Sequence, residues 1–422
     1  MSHLLERLAF KATHNRSAFR VTREVRPPAP APHAPNATTL APHPRAPLPP
    51  HARSPPPQAE VIGANLLASA SREQMAYTVD ALKTHTPEAV ELLADCVLNP
   101  KFELHEVNAA VKSLKAELAE AAKSNPQAAL MEALHETAYN GGLGRPLLAP
   151  AASLSALTPD DLAAFVADNF TAPRMVLAGS GVGLDALAQL AEPLLAPLPG
   201  GRGAPAVPSP YVGGDARDRS GAPGTTRMAL AFHFAGGWRD VRGATAMTVL
   251  QLLLGGGESF SAGGPGKGMY SRLYTRVLNK HAWAHSCTGF HTLYNDSGLV
   301  GIHAACDASR AGDMADTLCK ELQAVAAPGG ITAAELARAK TATISSVLMN
   351  LESRAVVAED IGRQVLTYGA RKPPAEFVAE VEKLTAADLA AAVAKLLKTP
   401  PTFVASGELG ALPRAAELAK RF

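Results

Sequence analysis

Hydrophobic side chains recur with helical spacing over long stretches of the chain. Within residues 103–123, Val107, Val111, Leu114 and Leu118 follow one another at steps of three or four residues. Such spacing places apolar side chains on one face of an α-helix. It therefore predicts a long helix with one buried side.

Turn-forming residues mark where helices of the first half begin and end. Thr86 is expected to cap a helix whose first position is Pro87, because a proline there loses no intrahelical hydrogen bond. Asn125-Pro126 interrupts the long helix, and the apolar pattern resumes over residues 127–139. Three consecutive helices are predicted in this region.

Shorter apolar runs predict strands that are paired in hairpins. Residues 65–83 contain two such runs around Ser71-Arg72-Glu73. Residues 281–306 contain two more around the turn Asn295-Asp296-Ser297-Gly298. Hairpins combined with long helices favour an α+β fold, in which helices cover one face of a mostly antiparallel sheet.

The second half of the chain repeats the order of the first. Residues 157–181 (LTPDDLAAFVADNFTAPRMVLAGSG) match residues 384–408 (LTAADLAAAVAKLLKTPPTFVASGE) without a gap, at an offset of 227. Upstream, the segment from Glu106 to Tyr139 matches that from Glu335 to Tyr368 at an offset of 229. The same order at a near-constant offset predicts an internal duplication, in which each repeat ends with a capped helix and a short strand.

Length and composition fit two domains. The 422 residues, of which 47% are hydrophobic and 18% charged, provide enough apolar material for two cores. We predict an N-terminal domain (1–25 and 59–196), a Gly/Pro-rich linker (197–224) and a C-terminal domain (225–422). Residues 26–58 contain thirteen prolines and are predicted to form a disordered insertion, because proline lacks the amide donor that helices and sheets need.

Charge and cysteine content argue against several classes of function. A net charge of +2 is too small to favour nucleic-acid binding, and no apolar run is long enough for a transmembrane segment. The four cysteines lack zinc-finger spacing, so reduced thiols in the core are expected. Residues 1–23 combine basic and apolar side chains as transit peptides do. They open, however, with His3 and Glu6 at helical spacing, and this motif assigns them to the folded domain. No targeting peptide is therefore expected.

The pattern of His3 and Glu6 matches part of a known zinc-binding motif. In the inverted zincin motif, H-x-x-E-H, two histidines on one helix face bind zinc and the glutamate polarises the bound water. His3 and Glu6 fill the first two positions, but Arg7 fills the third. A guanidinium stays protonated and has no lone pair to donate, so zinc is not expected here. By themselves, His3 and Glu6 also fit an ordinary helix surface.

A glycine-rich segment, GGGESFSAGGPGKG, occupies residues 255–268. It is not a phosphate-binding loop, because Ser261 and Gly268 stand where that motif requires a glycine and a serine or threonine. The Rossmann glycine spacing is absent as well. What remains is a long loop with one acid, Glu258, followed by a predicted helix over residues 269–278. Such a loop is able to cover a cleft.

Two stretches resemble the α-subunit family of mitochondrial processing peptidases: GGGESFSAGGPGKGMYSRLYTRVLN, and SHLLERLAFK as a degenerate zinc helix. The resemblance covers residues 2–25 and from about 59 to the C-terminus. It implies two homologous α/β domains with mostly antiparallel sheets packed by helices, as in that metallohydrolase family. It also implies that Glu117 matches the distal zinc ligand, since the 110 residues between Arg7 and Glu117 become the family's 77 without the 33-residue insertion. His3, Glu6 and Glu117 are then vestiges.

The resemblance implies a non-catalytic subunit in the mitochondrial matrix or on the matrix face of the inner membrane. Its partner, a β subunit, holds the zinc and cleaves basic presequences, while this chain holds no cofactor and helps to bind them. The alternative is a structural core subunit of respiratory complex III. Glu258 is placed to pair with presequence arginines. The residues implied to contact presequences are Gly255, Gly256, Gly257, Glu258, Ser259, Phe260, Gly263, Gly264, Gly266, Lys267 and Gly268.

The chain departs from this family at its start. Members have strands before the zinc helix, whereas this chain opens with that helix. We therefore expect an N-terminally truncated first domain, either through a truncated gene model or in a decayed paralogue.

Two other functions stay open at this point. One is an independent metallopeptidase that uses His3, Glu6 and Glu117 with a non-standard ligand. The other is an adaptor whose proline-rich residues 26–58 bind SH3-type or WW-type domains.

Overall fold

The computed structural model describes residues 1–25, 63–201, 207–258, 269–410 and 412–422. The predicted insertion, residues 26–58, and residues 259–268 of the glycine-rich segment lie outside this part. The first half contains α1 (Ser2–Leu8), α2 (Ala18–Val25), β1 (Asn65–Ala70), β2 (Met75–Asp80), α3 (Thr86–Leu98), α4 (Leu104–Ser124), α5 (Pro126–Ala138), α6 (Ala151–Ala156), α7 (Pro159–Asn169) and α8 (Leu184–Leu195). The second half contains β3 (Gly214–Asp218), β4 (Thr225–His233), α9 (Val241–Leu254), β5 (Gly256–Glu258), β6 (Ala284–Leu293), β7 (Gly298–Asp307), α10 (Ala311–Ala326), α11 (Ala333–Asn350), α12 (Arg354–Tyr368), α13 (Pro374–Lys383), α14 (Ala386–Leu396), β8 (Thr402–Gly407) and α15 (Ala415–Ala419).

The second half is built on a six-stranded sheet in the order β3-β8-β4-β7-β6-β5. Its neighbouring strands are antiparallel except for the parallel pair β3 and β8. Alternation along β4 sends Met228, Leu230 and Phe232 into the main core beneath α9, α10 and α14. The mixed α+β class, the two hairpins and the mostly antiparallel pairing are thus confirmed.

The opposite face of this sheet is covered as well, which differs from the prediction of helices on one face only. Helix α5, from the first half, packs on β8, β4 and β3. Its Leu130 and Leu134 join Ala229, Ala231 and Val404 of the sheet in a second core. In return, α12, which is the repeat counterpart of α5, packs on β2. The two halves therefore exchange one helix each, which local sequence pattern alone does not reveal.

The first half has a smaller sheet, formed by the antiparallel hairpin of β1 and β2 among its described residues. Helix α1 packs against α4 and β1. The apolar side chains of α1 and α4 meet those of α6 and α7 in a separate core. Because the leucines of α1 lie in this small core, the polar residues of the vestigial zinc motif on the same helix face outward.

The duplication is visible in the capped helices. Thr158 and Asp161 form a capping box at the start of α7, and Thr385 and Asp388 form the same box at the start of α14. The strands that follow differ, however. Residues 402–407 form β8, whereas residues 175–179, predicted as its counterpart, form no strand. In the second half, β8 pairs with β4, which precedes α9.

Three predicted boundaries are shifted. Residues 214–218, placed in the linker, form β3, because they pair with β8. Thr86 is the first residue of α3 and not its cap, and its hydroxyl donates to the carbonyl of Lys83. After the glycine-rich segment, the helix is a π-helical turn over Tyr274–Leu278, later and shorter than predicted.

Candidate functional site

The outward face of α1 is set by its buried face. Leu4, Leu5 and Leu8 are at most 5% exposed and pack against α4, so the side chains between them point elsewhere. Glu6 and Arg7 line an open groove of about 300 Å³ between α1 and β1. The motif residues thus lie at an accessible surface, where a peptide or a metal ion is able to reach them.

Arg7 and Glu117 form an ion pair. The two side chains are each 46% exposed, and the other carboxylate oxygen of Glu117 accepts a hydrogen bond from Ser113 Oγ at 3.1 Å. The structure therefore brings together Glu117, which was predicted as a vestigial ligand, and Arg7, which replaces the second histidine of the motif. The guanidinium of Arg7 binds the carboxylate of Glu117, which a metal ion would need as a ligand.

His3 and Glu6 are also engaged in ways that do not suit a metal. The backbone N–H of Ala149 donates to Nδ1 of His3 at 3.3 Å. A zinc-bound histidine instead donates its second ring N–H to an acceptor, which frees the lone pair of the other nitrogen for the metal. Glu6 Oε2 accepts from the backbone N–H of Ala70 in β1 at 3.2 Å. Both side chains serve local structure.

The residues present do not fit zinc. Structural and catalytic zinc sites need at least three neutral or anionic protein ligands. In the described part of the chain, no three His, Cys, Asp or Glu side chains are grouped as metal ligands would be. Around α1, the fixed charge of Arg7 adds direct repulsion of a dication. No step of a reaction is therefore assigned to a metal held by this chain.

Burial lowers the pKa of His3 from its usual 6.5, and Arg7 acts in the same direction against the opposing carboxylates. The folded state then binds fewer protons than the unfolded state just below pH 6.5, so stability is lost as the pH falls through that range. We expect the His3 ring to titrate below pH 6.5 in an NMR titration, with its signal assigned by comparison with His3→Asn. Titration at or above 6.5 would contradict the burial of this ring.

In the described part of the glycine-rich segment, the backbone at two positions requires glycine. Gly255 has φ of +56°, and Gly256 has φ of +104° with its Cβ position only 1.9 Å from the carbonyl oxygen of Cys287. Any side chain at Gly256 would collide with β6. Gly257 has open space around its Cβ position, and Glu258 is exposed. The other residues implied to bind presequences, Ser259, Phe260, Gly263, Gly264, Gly266, Lys267 and Gly268, lie outside the described residues.

Sequence reasoning missed a buried ion cluster directly after this segment. Arg272 is 1% exposed; its guanidinium bonds Glu335 at 3.3 Å and the carbonyl of Gly330. Burial alone would raise the pKa of Glu335, but hydrogen bonds from Thr332 and Arg272 lower it to about 2. Burial raises the pKa of the nearby Glu321. The only sequence signal was the four-residue spacing of the two arginines in MYSRLYTRVL, and this spacing is equally typical of the exposed face of a helix.

The comparisons with known proteins agree with one another. Residues 57–151 match the family "Insulinase (Peptidase family M16)", and residues 156–343 match "Peptidase M16 inactive domain". The mitochondrial-processing peptidase subunit alpha of Solanum tuberosum is 45% identical over 421 residues, which cover 100% of this chain and 76% of that protein. The subunit of the same name from Homo sapiens is 36% identical over 359 residues, covering 81% of this chain and 68% of that protein.

A solved structure shares the fold. A chain of complex III2 from Candida albicans, with Inz-5 bound, matches with a TM-score of 0.73 at 19% identity and covers 85% of each chain. At that identity the likeness concerns the fold alone. Within the described residues, no helix combines the length and the apolar character needed to cross a bilayer.

Proposed function

The chain belongs to peptidase family M16, among the mitochondrial-processing peptidase α subunits, and on that premise we propose that it is a non-catalytic subunit that binds basic presequences for a zinc-bearing β subunit to cleave. The ion pair between Arg7 and Glu117 carries the proposal. It fills the position of a metal site with a permanent internal cation. Hydrolysis is therefore assigned to the partner.

The chemistry of the glycine-rich segment supports the substrate class. Glu258 presents an exposed carboxylate on β5, and a carboxylate pairs readily with the arginine guanidinium groups of a basic peptide. The pair is exposed and hence weak by itself, so it is suited to reversible capture and not to permanent binding. The metal in the partner would supply the activated water, while this chain would hold the peptide.

The proposed location is the mitochondrial matrix or the matrix face of the inner membrane. The relatives from potato and human are named as mitochondrial proteins. Together with the proposed presequence substrate, these names support a site where imported proteins are processed.

A structural role in respiratory complex III is the second candidate. The observation that favours it is the shared fold with a chain of complex III2 from Candida albicans. An independent metallopeptidase is not supported, since His3, Glu6, Arg7 and Glu117 do not fit zinc. The adaptor function of residues 26–58 stays a prediction, because these residues lie outside the described part.

Reconstitution tests the proposed function. We expect the purified chain alone to leave a fluorogenic presequence peptide intact, and cleavage to appear when it is mixed with a zinc-bearing β subunit. The β subunit with its metal removed by a chelator is the matched control and should restore nothing. A chelator-sensitive activity of this chain by itself, or a β subunit equally active without it, would contradict the proposal.

Native gel electrophoresis of mitochondria distinguishes the two candidate roles. Migration of the chain in a soluble complex of about two subunits supports the peptidase role. Migration only with cytochrome-containing complex III supports the structural role and rejects the first.

A further inference from the structure

Among the strands that the structure describes in the second half, β5 is the shortest, and it carries the exposed Glu258. It contains Gly256, Gly257 and Glu258, which pair with Thr288, Cys287 and Ser286 of β6. Two of its three residues have no side chain to pack against the core. The position of the Glu258 carboxylate therefore depends on backbone hydrogen bonds at the edge of the sheet.

One of these hydrogen bonds has its acceptor outside the sheet. The backbone N–H of Gly256 donates to Ser271 Oγ at 2.9 Å. The contact is close, since a Cβ on the preceding Gly255 would lie 2.3 Å from Cβ of Ser271. Only glycine at position 255 lets the serine approach the strand in this way. On the other side, the N–H of Gly289 donates to the carbonyl of Gly255 at 2.8 Å.

Ser271 is itself firmly held. The next residue, Arg272, is 1% exposed and is bonded to Glu335 at the start of α11 and to the carbonyl of Gly330. The carbonyl of Ser271 accepts from the N–H and the hydroxyl of Thr275 one turn later, each at 3.0 Å. These contacts hold Ser271 in place, so its hydroxyl is able to hold the backbone N–H of Gly256.

We propose that Ser271 is a positioning residue, which holds Gly256 and thereby sets the Glu258 carboxylate for a basic peptide. The proposal rests on the proposed function, because it gives Glu258 a substrate. The serine does not touch the peptide. It acts through the backbone of β5, where its hydroxyl adds one hydrogen bond to the pairing of this short strand with β6.

Steady-state kinetics of the reconstituted heterodimer test this role. Removal of one net hydrogen bond should raise KM for a presequence peptide about three- to ten-fold in Ser271→Ala, with kcat unchanged. Ser271→Thr keeps the hydroxyl and should restore the KM of the original protein. Thr317→Ala, which removes a helix hydroxyl that donates to the carbonyl of Asp313 in α10, is the matched control and should leave KM unchanged.

A double-mutant cycle shows whether the effect passes through Glu258. Glu258→Gln should raise KM in the original protein and have a much smaller effect when Ser271→Ala is already present. Additive effects, an unchanged KM in Ser271→Ala, or a loss confined to kcat would overturn the positioning role while leaving the proposed function intact. If the unaltered heterodimer itself fails to cleave the peptide, the proposed function fails first.

Discussion

Replacement of Arg7 by histidine is expected to raise the affinity of the chain for zinc by at least about a hundred-fold, because a unit charge next to a dication costs several kcal/mol even at moderate dielectric. The change supplies an imidazole at the fourth residue after His3 and frees the carboxylate of Glu117. The bond from Ala149 to His3 would have to break, at a cost of about 1 kcal/mol. Isothermal titration calorimetry with zinc alone measures the gain.

Two variants make that result specific. Arg7→Ala removes the charge without adding a ligand, and it should gain much less than Arg7→His. Glu117→Gln in the Arg7→His background should lose most of the gain. Equal zinc affinity in the Arg7→His variant and the original protein would show that Arg7 does not control the site.

Replacement of Arg272 by methionine should destabilise the second half by about 3–5 kcal/mol, because it removes the buried cation that bonds the partly buried Glu335. Arg272 is 1% exposed, and its loss affects Glu335 and, through the local charge balance, Glu321. Both tryptophans, Trp238 and Trp283, lie in this half. Urea unfolding followed by their fluorescence therefore reports the stability of this half.

The nearby Arg276 provides a control of the same chemistry. Its side chain is 38% exposed and lies 3.8 Å from Glu321 and Glu335, so Arg276→Met should cost less than about 1 kcal/mol. A similar loss of unfolding free energy in both variants would contradict the claim that the burial of Arg272 makes its ion pair stronger than that of Arg276. The low pKa of Glu335 adds a second check: its contribution to stability should be present above about pH 4.5 and be lost as the pH falls towards 2.

Periodicity and turn residues predicted most helices and hairpins of this fold, because these elements depend on neighbours in sequence. The helix over residues 103–123 and the capped helices of the two repeats are examples. The packing of α5 on the sheet of the opposite half was not predictable in this way, because β4 and β8 lie far from α5 in sequence and the same apolar face fits either sheet. Residues 175–179 failed as a strand for a related reason: strand formation requires a neighbour that the local sequence does not contain.

The sequence proposes the candidate site as a set of residues but does not give its geometry. The family resemblance and its spacing related Arg7 to Glu117, and the structure adds that the two form an ion pair. The use of His3 Nδ1 as an acceptor is a tertiary contact with Ala149, which has no signal in sequence. Ser271 was likewise invisible, because its role depends on how closely Gly255 lets it approach β5. Contacts of this kind follow from folding and not from local pattern.

Arg7 is proposed to exclude zinc from this chain, and the metal content of the purified protein shows whether it does. After incubation with excess zinc and removal of the unbound metal, native mass spectrometry should show the metal-free mass alone. A species with one tightly held zinc ion per chain would contradict the account, and cleavage of a presequence peptide by that species would reassign the catalytic role to this subunit.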